Sequence, residues 1–346
     1  MSKVGRRTLV KDDITRWDRA VTDSLGPATR VLAAAVARRH YLAGESKVDI
    51  AAALGISRFK VARLLDLAHE EGIVRIEIAS DDIVDLELSE QIRELWGLRN
   101  CAVVLGHGPD PAAREALGQT AADLLCEVIT PTDVLGLPWA RTVSDMIRAI
   151  RELPPVEVVQ LSGSLVVPDE TTSPVDIVGR AARIAGSRAR LFYAPLILDD
   201  AASAAVLRKQ PSVKAALSAA DRVTISAAGI GAWGPKVSTI YDTITDEDRA
   251  QAAAAGVVGE VMGVYFTVDG SLATTPLADR MVTVAADTLR GIPEVIGIAR
   301  GRAKAPAVMG AVRAGLLKSL VIDTEIAQLL LSTDPAPARG TSASKR

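Results

Sequence analysis

Tyr41–Ile78 reads YLAGESKVDIAAALGISRFKVARLLDLAHEEGIVRIEI, and it decides the character of the first part of the chain. Two short helical stretches flank Gly55-Ile56. In the first, Lys47–Leu54, residues Ile50, Ala51 and Leu54 share one face, and Ser46 suits the N-cap. Glycine fits the left-handed conformation that closes a helix, and Ile56 can plug the angle between the two. The second stretch, Arg58–Glu71, follows Ser57 as N-cap, stops at Gly72 and repeats apolar residues at Val61, Leu64, Leu65 and Ala68. Its other face carries Arg58, Phe59, Lys60, Ala62, Arg63 and Asp66. Helix, short turn, helix is the helix-turn-helix arrangement, whose second helix enters the major groove of DNA. Arginine can give guanine O6 and N7 two hydrogen bonds, while lysine, serine and first-turn amides hold phosphates. Arg58 and Arg63 are the candidate base readers. Ser57, Phe59 and Lys60 are candidates for backbone or mixed contacts, and Lys47 for a phosphate. The bland alternative is an αα-hairpin with a solvated basic face.

Working outward, Ala28–Tyr41 reads as a preceding helix, and Ile73–Ile78 as a strand leaving the module. Residues 1–75 hold 14 Lys/Arg against 9 Asp/Glu, although the whole chain of 346 residues has a net charge of −2. A basic head on an acidic body fits a protein whose head alone meets a polyanion. We place the helix-turn-helix domain at 26–80, after an N-terminal extension, 1–25, to which no role is assigned. Residues 81–96 (DDIVDLELSEQIRELW) read as an amphipathic linker and dimerisation helix with Ile83, Leu86, Leu88, Ile92 and Leu95 on its apolar side. Residues 332–346 (STDPAPARGTSASKR) have the composition of a disordered tail.

Between these, residues 97–331 alternate apolar runs with helical stretches. Strands are expected at 101–105, 133–137, 156–161, 190–193, 222–226, 295–299 and 319–323, and helices at 112–129, 142–151 and 176–185. That alternation predicts an α/β domain with a parallel, Rossmann-like sheet, and such sheets bind ligands beyond the carboxyl ends of their strands. Three strand ends carry small and polar residues: Gly136–Thr142 (GLPWART, with Thr142 as expected helix N-cap), Leu161–Ser164, and Gly229–Gly231. A Gly-bearing turn of this kind is more often structural than functional. Neither the G-x-G-x-x-G nor the G-x-x-x-x-G-K-[ST] fingerprint occurs, so no cofactor is expected.

The two parts carry one resemblance. Tyr41–Ile78 resembles the N-terminal motif of the SorC family of bacterial transcriptional regulators, departing from it at Ala62, where the motif carries Ser. GLPWART (136–142), PPVEVVQLSGSL (154–165), AAGIGAW (227–233), AGVVGEVMGVYFTVDG (255–270) and the run 292–331 are similar, in order, to that family's sugar-binding domain. The resemblance implies an effector domain related in fold to sugar-phosphate isomerases and deaminases, and a phosphorylated sugar or sugar derivative as effector. It implies effector contacts from Gly136, Trp139, Ala140, Arg141, Thr142, Gly163, Ser164, Glu260, Asp269 and Lys304, with Arg302 a second phosphate candidate. Ala140 and Arg300 stand where the family pattern has glycine, and a positive φ at 140 would disfavour alanine. Asp269 reads equally well as a plain Asx turn.

Partners implied are operator DNA, the effector, and further copies of the chain in a homodimer or homotetramer matching repeated half-sites. No apolar run approaches the roughly 20 residues of a membrane span, and the charged start lacks a signal-peptide stretch, so a cytoplasmic protein is expected. Cys101 and Cys126 have no metal-ligand spacing and read as reduced thiols. An enzyme of the isomerase or deaminase type would need a positioned acid–base pair. The three histidines, 40, 69 and 107, form no such pair in sequence, so a ligand-controlled regulator is preferred to an enzyme or an oligomeric scaffold.

Overall fold

The computed structural model describes residues 26–75, 83–106, 111–165 and 173–335. The chain divides into two compact units, Met1–Ala79 and Ser80–Arg346. The expected extension 1–25, the end of the strand expected at 73–78, His107 and the tail from 336 onward lie outside the described residues; 73–75 are irregular.

The first unit holds α1 (Pro27–Ala37), α2 (Lys47–Leu54) and α3 (Arg58–Glu70). The helix expected to reach Tyr41 loosens into a π-helical turn over Arg38–Leu42. Ala33, Val36, Ile50, Val61, Leu64, Leu65 and Ala68 form its core, with Ile56 packed against them. Both described histidines have structural partners here. His40 Nδ1 lies 3.0 Å from the Glu45 carbonyl, and His69 Nε2 meets the Tyr41 hydroxyl at 2.8 Å.

The second unit starts with α4 (Leu86–Leu95), β1 (Asn100–Val104), α5 (Pro111–Val128), β2 (Val134–Leu137), α6 (Arg141–Ala149), β3 (Glu157–Gln160), α7 (Pro174–Ile184) and β4 (Ala189–Arg190). It continues through α8 (Ala201–Lys209), α9 (Pro211–Ala219), β5 (Ile225–Gly229), β6 (Gly231–Ala232), α10 (Thr239–Thr243), α11 (Asp246–Ala254), β7 (Gly259–Val261) and β8 (Val264–Phe266). It closes with α12 (Pro276–Asp279), α13 (Ala286–Gly291), β9 (Glu294–Ala299), α14 (Ala305–Arg313), β10 (Ser319–Asp323) and α15 (Thr324–Leu331). Seven parallel strands form one sheet in the order β1-β10-β9-β5-β2-β3-β4. Alternate residues feed cores on its two faces: Leu320 and Ile322 of β10 lie on one side, Val321 on the other. Burial on both faces explains why these strands read as unbroken apolar runs.

Several expected boundaries shift. The helix placed at 81–96 starts only at Leu86, where Asp85 caps it by accepting the Leu88 N–H at 2.9 Å. It packs against β1 and α15 and so belongs to the second unit rather than standing apart as a connector. Val84, just before it, bridges antiparallel to Val104 along the outer edge of β1. The strand expected at 190–193 is confined to Ala189–Arg190, and that expected at 222–226 begins at Ile225. A three-stranded antiparallel ribbon, β6-β7-β8, was not foreseen. Its tight turn, Met262-Gly263, has φ of 55° and 79°. Both values are positive, as a mirror-image hairpin turn requires.

Candidate DNA-reading face and effector pocket

Ser57 caps α3 by accepting the Lys60 N–H at 3.2 Å, Ser46 caps α2 in the same way through Asp49, and Gly55 between them sits at φ 64°. The three constraints set the two helix ends and the turn between them locally. Lys47, Ser57, Arg58, Phe59, Lys60 and Arg63 are all exposed. Among the described residues, neither Lys47, Arg58, Lys60 nor Arg63 is engaged in an ion pair, whereas Arg39 of the same unit is bound to Glu45 at 2.7 Å. An unneutralised cationic surface opposite the core is what a phosphate backbone attracts.

In the second unit, β2 and β5 are neighbours whose exits diverge: the chain leaves β2 toward β3 and leaves β5 toward β9. The crevice at such a reversal is where open α/β sheets hold ligands. A cavity of about 140 Å³ opens there, lined by Pro138–Thr142 after β2, Gly229–Gly231 after β5, and Glu260 and Lys304. That is room for roughly five water molecules at liquid density. No histidine lines it among the described residues.

Its polar groups divide into two kinds. At one end lies the first turn of α6, which no side chain caps. The Thr142 hydroxyl there is shut off from solvent with no hydrogen-bond partner among the described residues. Deeper in, Glu260 is buried and accepts the Gly263 N–H at 3.0 Å, while Lys304 donates to the Ile230 carbonyl at 2.6 Å. Burial pushes the Glu260 carboxyl up, opposed by the Gly263 hydrogen bond and the Lys304 charge. Burial pushes the Lys304 ammonium down, opposed by Glu260 and reinforced by Arg141. A buried acid and a buried amine, whose charged forms burial disfavours, respond strongly to a bound group of either sign. Lys236 and Met262, the two non-glycine residues of positive φ among the described residues, both line this cavity. Such strained backbone concentrates at functional sites. Lys236 is held by its N–H bond to the Asp242 carboxylate at 3.0 Å.

Residues 82–332 match the family model described as "Putative sugar-binding domain". The chain belongs to the SorC family of sugar-binding transcriptional regulators. It is 26% identical over 305 residues to the transcriptional regulator LsrR of Escherichia coli K12, covering 86% of this chain and 93% of that one. With the sorbitol operon regulator of Klebsiella pneumoniae it shares 26% over 307 residues, 86% of this chain and 96% of the other. The fold is similar to the full-length SorC crystal structure from Klebsiella pneumoniae, with a TM-score of 0.68, 24% identity, and coverage of 88% and 99%. By their own names, one of these relatives is a transcriptional regulator and the other an operon regulator.

Within this SorC-family pocket, the structure brings together Trp139, Ala140, Arg141, Thr142, Glu260 and Lys304. Five other expected residues fall elsewhere. Gly136 is packed inside β2, where a Cβ would come within 2.7 Å of Leu161 and 2.8 Å of Val223. Gly163 is required by close backbone packing, since a Cβ would lie 2.5 Å from the Pro195 carbonyl oxygen. Ser164 exchanges backbone hydrogen bonds with Ala194 and Leu196. Asp269 takes the Asx-turn alternative, accepting from the Thr267 hydroxyl and the Ser271 N–H. Arg302 is exposed, and its N–H donates to Glu325. Thr142 is not the N-cap; Ala140 is, with φ −160°. That is ordinary extended backbone, so alanine there carries no strain.

The sequence reading missed Ser162, which accepts the Trp139 N–H at 3.1 Å and so positions the loop after β2. It also missed Lys236, Asp242, Met262 and Gly263 of the lining. Gly231 now has a reason: an added Cβ would sit 2.1 Å from Glu260 Oε1. No helix among the described residues is long and apolar enough to cross a membrane.

Proposed function

We propose that this regulator reads operator DNA through α3 and is controlled by a phosphorylated sugar held in the pocket between the β2 and β5 exits. Arg58 and Arg63 bond guanine edges, Ser57, Lys60 and Lys47 hold phosphates, and Phe59 contributes to the same face. In the pocket, the effector phosphate lies at the first turn of α6 with Arg141, the Thr142 hydroxyl and Lys304, while Glu260 accepts from sugar hydroxyls. The observation that carries this reading is the sealed, unpartnered Thr142 hydroxyl beside an uncapped helix start. A buried polar atom without a partner costs stability, and a ligand oxygen would satisfy it.

Paired copies in the cytoplasm present their α3 helices to repeated half-sites, as symmetric regulators do. Effector binding that alters DNA affinity 5- to 150-fold needs a coupling of about 1–3 kcal/mol. No catalytic role is assigned to the pocket. Two measurements test this. Thermal melting with hexose phosphates, their parent sugars and inorganic phosphate should show a shift with a phosphorylated sugar alone, abolished by Lys304→Ala. Selection of genomic fragments should enrich a discrete site with the wild type and not with the Arg58→Ala, Arg63→Ala double variant. No melting shift across the panel removes the sugar-phosphate reading; no enrichment by the wild type, with or without the effector, removes DNA reading.

A further inference from the structure

The chain has three phenylalanines, and two are sealed in the core: Phe192 is 1% exposed and Phe266 fully buried. The third, Phe59, is 72% exposed. It touches no core cluster, and its ring is held by the Arg58 guanidinium, 5.0 Å from the ring centre. A helix turns about 100° per residue. Phe59 and Arg63 are therefore stacked on the face of α3 diametrically opposite Val61, Leu64, Leu65 and Ala68, which are buried. Phe59 is the second residue of the helix, among the N-terminal positions that reach base edges when a recognition helix docks. Phosphates offer a phenyl ring nothing. In the major groove the one apolar feature of a base edge is the thymine 5-methyl group.

We infer that Phe59 reads the methyl group of a thymine in each half-site, next to a base read by Arg63. This rests on the DNA-reading role of α3 proposed above. The Arg58 guanidinium lies over the ring in cation–π contact, which biases its orientation toward the groove without burying it. Phe59 thus selects T over C at that position by packing, where the flanking arginines select by hydrogen bonding.

The test uses the full chain and the operator fragment that the wild type enriches. Each thymine is replaced in turn by deoxyuridine, which lacks the methyl group alone, and Kd is measured at fixed salt. One thymine in each half-site should weaken wild-type binding about fourfold on replacement, the worth of one buried methyl. Phe59→Ala should bind the thymine and deoxyuridine forms equally, and Phe59→Leu should keep part of the difference. Both variants should melt with the wild type, because the side chain is outside the core. Three results overturn the inference: no thymine is distinguished by the wild type; Phe59→Ala retains the distinction; or Phe59→Ala changes only the oligomeric state. Failure of DNA reading itself shows one step earlier, as no enriched fragment.

Discussion

Replacing Thr142 by valine should move the free protein and the liganded protein in opposite directions. Valine keeps the branched shape and removes the hydroxyl, whose oxygen is sealed from solvent without a partner. Removing an unsatisfied buried group relieves about 1 kcal/mol or somewhat more. For a unit of this size that raises Tm by roughly 2–4 °C. With a sugar phosphate present, the lost bond to a charged oxygen is worth about 1.5–3 kcal/mol, or about 10- to 150-fold in Kd. At a concentration 100 times the wild-type Kd, the ligand stabilises the wild type by about 2.7 kcal/mol. A tenfold weaker variant would gain about 1.4 kcal/mol at that concentration. Differential scanning calorimetry, with and without ligand, reads both arms. A variant that melts below the wild type when free and keeps the full ligand shift would refute the argument, since the hydroxyl would then serve the fold and not the ligand.

Gly231→Ala should cost about 1–3 kcal/mol and erase the effector shift, because the new Cβ must push the Glu260 carboxylate off the Gly263 N–H; calorimetry and titration with the sugar phosphate check it. Glu260→Gln should change how stability depends on pH. Burial raises the folded carboxyl above 4.5, so its contribution is complete below that pH and is lost as pH rises. The variant's stability relative to wild type should therefore improve from about pH 4.5 toward neutrality in urea unfolding, and a constant difference would contradict the assignment. Lys60→Ala should lower the slope of log Kd against log salt by about one unit without altering which sequence is bound. An unchanged slope would take Lys60 off the phosphate list.

The first unit was legible because its signals are local. Ser46, Gly55 and Ser57 act on their own helix ends, and Val61, Leu64, Leu65 and Ala68 show the period of a buried helical stripe. The sheet was legible as apolar runs, yet its edges were not. Val223 and Thr224 look like strand, but Val223 closes a helical turn from Ala220, and the Thr224 hydroxyl is tied to Asp133 at 2.7 Å. The ribbon β6-β7-β8 escaped because its strands have two or three residues and its turn lacks the Asn-Gly or Asp-Gly signature. What holds Met262-Gly263 is the Glu260 carboxylate, a support visible only in three dimensions. Conversely, Gly136 and Gly163 looked like ligand loops because glycine announces close approach without saying of what. Here the approaching groups are Leu161, Val223 and Pro195 of the protein itself.

The bridge from Val84 to Val104 has a consequence for anyone who would exchange one sensing module for another. Asp85 donates its N–H to the Val103 carbonyl at 2.8 Å, Leu105 to that of Ile83 at 2.7 Å, and the Ser89 hydroxyl receives the Val103 N–H at 2.8 Å. Together they close the open side of the sheet. A chimera joined at residue 97, where the alternating sequence pattern begins, would discard this selvedge and leave β1 as a bare template for a stranger's strand, inviting aggregation. Joined ahead of Ile83, the same graft carries its own hem with it.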